Sequence, residues 1–423
     1  MFTFHRAISG VLYLCSLLVV TFASTDCAGA IDDLVRIIPG TNASNAAWGG
    51  SLQTVSPSTV LVGNGLNYSD VDTPVDLIDI NTGAVVQSYA EPSNYPSRDH
   101  FGSSAIQVGS SVLVGAFATD IPGTQLFDDA GVVHVYDAAS GAYQRTIENP
   151  NPSVSGSFGI SMATLGNLAV IGTFKDRSSN GTVYLVDPLT GSFVDRIDNP
   201  TGIRGDNFGS TVSVIDNDVL VGTRNAGTVY RFDGTTGNLL QTYPHPLGVG
   251  GLFGFSIDAS DSKVVVGAFQ QGSTNNQGGA VYVYDKASGT LLSTLESPSP
   301  IDYGWFGFDV TLLDDDTLVV SEQRHVQSTG PVSGVIYAYD LNTESLLAEI
   351  PDPVSHVFPQ ENRFGGAMAE VGGALVIGSS RGNFVADDGP LYVYQGLIPE
   401  PASSTVIVLG GVALLRRTGR QID

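Results

Sequence analysis

The sequence predicts an all-β chain folded as a seven-bladed β-propeller, and three observations carry that expectation. A Phe-Gly pair recurs at Phe101-Gly102, Phe158-Gly159, Phe208-Gly209, Phe253-Gly254, Phe306-Gly307 and Phe364-Gly365, with Trp48-Gly49 as a seventh variant, at spacings of 45 to 58 residues. Each pair opens the same phrase of four strand-like runs: small residues, an apolar run ending near Gly, a Gly-x-Val-Tyr-Val-Tyr-Asp run and a short final run. A repeat of that size with four strands per unit makes one propeller blade per unit. The composition agrees, with 51 Gly, 14% charged residues and no long amphipathic helical pattern between the termini.

The N-terminus reads as a secretory signal over residues 1–30. His5 and Arg6 give a weakly basic start, Val11 to Ala23 an apolar core, and Ala28-Gly29-Ala30 a small-x-small cleavage site, with Ala23 as an earlier alternative. Thirteen helical residues rise only about 20 Å, short of a bilayer core of about 30 Å. The two cysteines, Cys15 and Cys27, both lie in this segment, so cleavage after Ala30 leaves neither disulfides nor thiol catalysis.

Residues 31–397 form the repeat domain, and the fifth unit shows how a blade is written. Phe253 to Ile257 supplies the innermost strand, where seven strands crowd the axis and small residues suit. Val264-Val265-Val266-Gly267-Ala268-Phe269 is apolar on both faces, as a strand sandwiched between neighbouring blades must be. Val281 and Val283 alternate with Tyr282 and Tyr284, so both faces of the third strand also pack. Asp285 to Gly289 is a tight turn, and Leu291 to Glu296 the outer strand, ended by Pro298 and Pro300. The seventh unit stops at Gly396 without its outer strand. Leu34-Val35-Arg36-Ile37-Ile38 resembles the missing piece, so residues 34–38 are expected to complete the last blade and remove both exposed edges.

The recurring Phe-Gly…Val-Gly-Ala…Gly-x-Val-Tyr-Val-Tyr phrase over residues 48–396 resembles the FG-GAP repeat of integrin-type propellers. That resemblance implies calcium loops of the form Asp-x-Asp-x-Asp-Gly between the first two strands. Here the corresponding turns are Gly109-Ser110-Ser111, Gly166-Asn167, Asp216-Asn217-Asp218, Asp258 to Asp261, Asp314-Asp315-Asp316 and Gly372-Gly373. None keeps the spacing, so no metal site and no cofactor is predicted, and calcium stays open without its usual motif. The turns Asp79 to Gly83, Asp137 to Gly141, Asp187 to Gly191 and Asp233 to Gly237 are similar to the Asp-x-x-Thr-Gly segment of quinone-cofactor propellers. The docking Trp of those repeats is missing, and ordinary turn chemistry explains the pattern better.

At the other end, Pro399-Glu400-Pro401, an apolar run from Ala402 to Leu415 and the closing pair Arg416-Arg417 resemble the bacterial PEP-CTERM sorting tail, here residues 398–423. The resemblance implies export, an exosortase partner that recognises the tripeptide, and removal of the tail. Fourteen residues make a helix of about 21 Å, marginal as a durable span and suited to transient membrane contact. The arginines would hold the end on the cytoplasmic side.

Charge narrows the partners. The net charge is −24, with 42 acidic against 18 basic residues, and removing both ends sheds Arg6, Arg416, Arg417 and Arg420. Such a surface repels nucleic acid and anionic membranes, so no nucleic-acid role is expected. No catalytic constellation stands out: there is no His-Glu-x-x-His, no phosphate-cradling Gly-Lys-Thr loop and no Gly-x-Ser-x-Gly elbow.

Binding is expected on the face that carries both the inter-blade loops and the loops joining second to third strands. The residues singled out there are Tyr95, Tyr303, Trp305 and Phe358 as exposed aromatics. Asp128, Asp129, Asp387, Asp388, Arg324, His325, Arg363 and Arg381 add polar and charged groups. The reading that follows is an exported, non-enzymatic propeller binding polysaccharide or protein at the surface or in the extracellular matrix of a Gram-negative-type bacterium. The alternative is a secreted polysaccharide hydrolase or lyase using acidic loop residues.

Overall fold

Each repeat folds into a four-stranded antiparallel meander. A computed structural model describes residues 33–40, 48–64, 73–93, 99–120, 129–175, 180–248, 250–272, 277–326, 332–353, 362–381 and 389–396. Residues 1–30 and 398–423, expected as signal segment and sorting tail, lie outside these residues. In blade 5 the strands are Ser256–Ala259, Lys263–Ala268, Ala280–Asp285 and Leu291–Leu295, paired in sequence order. Blades 1 to 4 repeat that order over residues 51–89, 101–148, 161–198 and 208–244. Blades 6 and 7 are linked into one eight-stranded sheet by a parallel bridge from Ser333 to Asn362. The architecture is a seven-bladed all-β propeller.

The ring closes as the sequence predicts. Asp33–Ile38 pairs antiparallel with Leu391–Gln395, from Asp33 opposite Gln395 to Ile38 opposite Leu391, and becomes the outer strand of blade 7. Every outer strand carries a bulge near one end. The unpaired residue is Val35, Val86, Gln144, Val194, Leu240, Leu292 or Leu347, and all seven are exposed. A bulge bends the edge strand and blocks pairing with another chain, which protects an outer rim that is otherwise open.

The blades meet at a glycine seam. The Phe-Gly glycine lies at φ between +82° and +85° in all seven repeats, a conformation that glycine adopts without strain. Its carbonyl oxygen rests directly over the second-strand glycine of the preceding blade. A Cβ on Gly63, Gly115, Gly172, Gly222 or Gly267 would collide with the carbonyl of Gly102, Gly159, Gly209, Gly254 or Gly307, and Gly378 meets Gly49 where the ring closes. Serines on the innermost strands bond the same carbonyls: Ser104 Oγ donates to Gly159 O at 2.6 Å, Ser161 to Gly209 at 3.0 Å and Ser256 to Gly307 at 3.1 Å. Small residues therefore line the inner strands for two reasons, crowding and these bonds. Blade 6 is the exception, with Ser321 where the others have glycine.

Beside the seam, the Phe of each pair packs on the first aromatic of its own third strand. Phe158–Tyr184, Phe208–Tyr230, Phe253–Tyr282, Phe306–Tyr337 and Phe364–Tyr392 have ring centroids 5.2 to 6.0 Å apart. Blade 2 keeps the contact with His134 in the tyrosine position, 5.9 Å from Phe101. Blade 1 replaces both partners at once: Trp48 Nε1 donates to the buried Asp76 carboxylate at 3.2 Å. The odd Trp-Gly variant of the sequence is thus half of a paired exchange, ring-on-ring contact for a buried hydrogen bond.

The third strand packs both ways, as its alternation predicts. Val281 and Val283 enter the core shared with blade 6, whereas Tyr282 and Tyr284 enter the core shared with blade 4. The tyrosine hydroxyls reach main-chain carbonyls across the seam, as Tyr284 does to Pro244 at 2.7 Å and Tyr136 to Ala90 at 2.8 Å. Burial raises the pKa of both hydroxyls.

The seam makes a direct prediction. Gly267→Ala places a methyl against the Gly307 carbonyl, a backbone atom that cannot move without shifting blade 6, and should cost about 1–3 kcal/mol. Gly278→Ala meets nothing closer than 3.6 Å and serves as the control, expected within about 0.5 kcal/mol of wild type by denaturant unfolding. Equal stability of the two variants would remove the seam as a stabilising contact.

Candidate functional site

The loops that join second to third strands share a face with the inter-blade linkers, because hydrogen bonds tie them together. Thr119 Oγ1 donates to Asp99 at 3.0 Å, Thr173 Oγ1 to Gly156 O at 2.6 Å, Asn225 Nδ2 to Gly205 O at 2.9 Å and Arg324 N to Gly304 O at 2.9 Å. On this face, toward the axis of blades 4 to 6, the structure gathers an aromatic and arginine cluster. Phe255 and Phe308 follow the Phe-Gly pairs of blades 5 and 6, Phe269 follows the second strand of blade 5, and Trp305 precedes the Phe-Gly pair of blade 6.

Phe269 is the hub. Its ring lies 4.6 Å from Phe255, 5.1 Å from Phe308 and 5.4 Å from Trp305, and Trp305 stacks on Phe308 with 16° between their planes. Two guanidinium groups cover the cluster: Arg324 sits 4.8 Å from the Trp305 ring and Arg224 4.4 Å from Phe255. Burial pushes the Arg224 pKa down to about 10, and Arg224 Nη2 donates to Ser210 O at 3.3 Å. Two N–H groups in the cluster, Arg224 Nε and Trp305 Nε1, are buried with no acceptor. An unsatisfied buried donor costs about 1–3 kcal/mol.

Phe255 and Phe308 also wall a cavity of 280 Å³ lined by residues of six blades, among them Ser51, Ser103, Thr211, Asp309 and Met368. This is the axial channel. Asp258 and Asp309 stand half-buried on adjacent innermost strands, each binding its own blade and the next. Asp258 accepts from Ala259 N and Leu312 N at 2.8 Å each; Asp309 accepts from Val310 N at 3.0 Å and Met368 N at 2.7 Å. Burial pushes Asp258 up to about 6 and Asp309 up to about 7, and the charge of Asp258 adds to the rise at Asp309.

Trp305 has φ +65°, a left-handed conformation that strains a bulky residue. The strain belongs to the repeat. His100, Ser157, Asn207 and Leu252 precede their own Phe-Gly pairs at φ between 54° and 60°. Asn is comfortable there, so a Trp at this position is not what the fold prefers.

The residues predicted from sequence divide clearly. Trp305 and Arg324 come together in the cluster, and Tyr303 is 48% exposed on the same linker two residues away. Asp129 is exposed on the loop face beside blade 2, apart from the cluster, with its backbone N–H bonded to Asp120 Oδ1 at 2.9 Å. Tyr95, Asp128, Phe358, Asp387 and Asp388 lie outside the described residues, as do Pro399, Glu400, Pro401, Arg416 and Arg417. Arg324 and His325, expected in a loop, sit on a strand. Blade 6 runs its second and third strands, Thr317–Val326 and Val332–Asp340, past the rim as a ribbon that pairs His325 with Ser333. Arg363 and Arg381 are likewise on the strands Asn362–Val371 and Ala374–Arg381, with Asn362 opposite Arg381. Main-chain pairing carries these polar residues into strands that side-chain patterning cannot reveal.

The acidic turns are occupied by the fold itself. Asp315 takes the hydroxyls of Ser260 and Ser262, and Lys263 Nζ lies 3.5 Å from Asp315 and 3.1 Å from Asp316. Asp258 belongs to an inner strand, not to the turn expected for it. In the Asp-x-x-Thr-Gly turns, the carboxylate caps its own loop: Asp79 Oδ1 accepts from Thr82 N at 2.8 Å, Thr82 Oγ1 at 3.0 Å and Asn81 N at 2.9 Å. Those bonds hold Asp79 below the usual carboxylate range, and Asp137, Asp187, Asp233, Asp285 and Asp340 follow suit. Among the described residues one group combines donors of the kind that hold metals: Glu91, Asp99 and His134, whose ligand atoms lie within 4.8 Å of one another. Thr146 Oγ1 already bonds His134 Nδ1 at 2.8 Å, and Phe101 N and Thr119 Oγ1 bond Asp99 at 3.0 Å each.

The raised pKa of Asp309 has a definite sign. A carboxyl whose pKa is higher folded than unfolded stabilises most below about pH 4, and that contribution is lost as pH rises through about 7. Asp309→Asn cannot ionise. Its stability relative to wild type should therefore improve by about 1–3 kcal/mol from pH 4 to pH 8, a range reduced for the solvent in the channel. A difference that does not change with pH would contradict the assignment.

No protein-family model and no curated protein matches the chain, so the propeller rests on its blades and the likeness to FG-GAP repeats on the sequence pattern alone.

Proposed function

We propose that this chain is an exported, non-enzymatic propeller that binds polysaccharide at the bacterial surface or in the extracellular matrix. The observation that carries the reading is the cluster of Phe255, Phe269, Trp305 and Phe308 under two guanidinium groups, beside the axial cavity. Flat aromatic faces take up the apolar face of a sugar ring, and fixed polar groups at their edge orient its hydroxyls. Location follows from the termini: a signal-like segment, and a PEP-CTERM-like tail with an exosortase as processing partner, support export through a transient membrane anchor. A second reading, hydrolysis or lyase chemistry, draws on Asp309, a carboxyl near neutral pKa in the wall that Phe308 shares.

Trp305→Asn separates binding from folding, because Asn207 already holds the equivalent left-handed position in blade 4. On a polysaccharide and surface-protein array the variant should lose about tenfold in affinity, the worth of one stacking contact with its cation, while its Tm stays at or above that of wild type. Unchanged polysaccharide affinity would overturn the site. Turnover of a bound polysaccharide that Asp309→Asn abolishes would replace the first reading with the second.

A further inference from the structure

We infer that the axial cluster recognises an acidic sugar, a pyranose bearing a carboxylate, through Arg224. The inference rests on the polysaccharide-binding reading above and narrows its ligand. In a chain of net charge −24 with 42 acidic residues, Arg224 is an anomaly. Its guanidinium is buried on Phe255, makes one bond to a neutral carbonyl at 3.3 Å, and forms no ion pair among the described residues. Three other largely buried cations each have a carboxylate partner: Arg231 has Asp218, Lys263 has Asp315 and Asp316, and Lys286 has Asp216.

The repeat shows that Arg224 is not a requirement of the blade. The equivalent position after the second strand holds Phe117 in blade 2, Phe174 in blade 3 and Phe269 in blade 5. An arginine at this place carries a desolvation cost that a phenylalanine does not, and the described residues supply no anion to offset it. A bound carboxylate would supply one, accepting from the guanidinium as charge-assisted hydrogen bonds. The second unsatisfied group of the cluster, Trp305 Nε1, is also a donor, so both buried groups ask for acceptor oxygens. The aromatic faces of Phe255, Phe308 and Trp305 would hold the ring that carries them.

Calorimetric titration of the full chain tests this with three probes of equal length: a galacturonate oligomer, the neutral galactose oligomer and a sulfated galactose oligomer. The galacturonate oligomer should bind at least tenfold tighter than the neutral one. Arg224→Phe, which installs the residue of three sister blades, should erase that preference, bringing the galacturonate and neutral oligomers to within about twofold of each other. Arg224→Gln should do the same, and its Tm shows whether the blade still folds. Equal binding of acidic and neutral oligomers, or a preference that survives both substitutions, would overturn the inference and leave polysaccharide binding standing. An equal gain with the sulfated oligomer would overturn the carboxylate in favour of charge alone. Binding of none of the three would overturn the polysaccharide reading with it.

Discussion

Six pairs of glycine backbones pressed together around one ring set the geometry on which everything else depends. The Phe-Gly glycine turns its carbonyl onto the second strand of the blade before it, and in six of the seven blades that strand presents a Cα with no side chain, Ser321 of blade 6 being the exception. Close approach brings the inner-strand serines within reach of the same oxygen. It also brings the phenylalanine beside each glycine down onto its own third strand and into the seam. The interaction is local, yet because it repeats around a closed ring, a misfit at one seam is passed to the others. The N-terminal strand in blade 7 fastens the ring by main-chain pairing between its two ends.

Against that regularity, the departures of single blades stand out. Blade 1 exchanges Phe and Tyr for Trp48 and Asp76, a compensated pair that leaves the seam intact. Blade 6 loses the second-strand glycine, extends a ribbon beyond the rim and tolerates Trp305 in a left-handed conformation. Blade 4 places Arg224 where its neighbours place Phe. The last two exceptions, on blades 4 and 6, add strain or desolvation that nothing among the described residues offsets, and they lie against Phe255 and Phe308, which line the axial cavity. A ring that is rigid by repetition can bear such costs at one sector, the usual way a stable scaffold supports a binding site.

The repeat, the closing strand and the alternation of the third strand were legible because each is a one-dimensional pattern enforced by burial. The site was legible only in part. Trp305 and Tyr303 stand out as inter-blade loop residues and Arg324 as a residue between second and third strands, whereas Phe255 and Phe269 read as strand residues and no motif singles out Phe308 or Arg224. Aligning the repeats by column holds a signal for them. The residue after Phe-Gly is small in Gly50, Ser103, Ser210 and Gly366, aliphatic in Ile160 and aromatic in Phe255 and Phe308, next to the axis where small residues suit. The ribbon of blade 6 was hidden for a different reason: Glu322 to His325 are polar and read as loop, and only hydrogen bonds to residues 332–335 make them strand. Asp258 and Asp309 look like turn formers in the chain, and their role in bonding the next blade depends on ring geometry that no local pattern records.

The chain has two tryptophans, Trp48 in the seam and Trp305 in the aromatic cluster proposed to bind ligand, and this makes a single optical measurement decisive. Replacing Trp48 by Phe and Asp76 by Tyr returns blade 1 to the pair used elsewhere in the ring, leaving Trp305 as the sole indole. Its fluorescence can then be followed during titration with the galacturonate oligomer, the ligand class proposed for the cluster. The expected result is a saturable change in emission whose midpoint matches the binding constant, because the ligand stacks on or beside Trp305. An emission spectrum that stays unchanged while binding saturates would place the ligand elsewhere and contradict the axial cluster as the binding site.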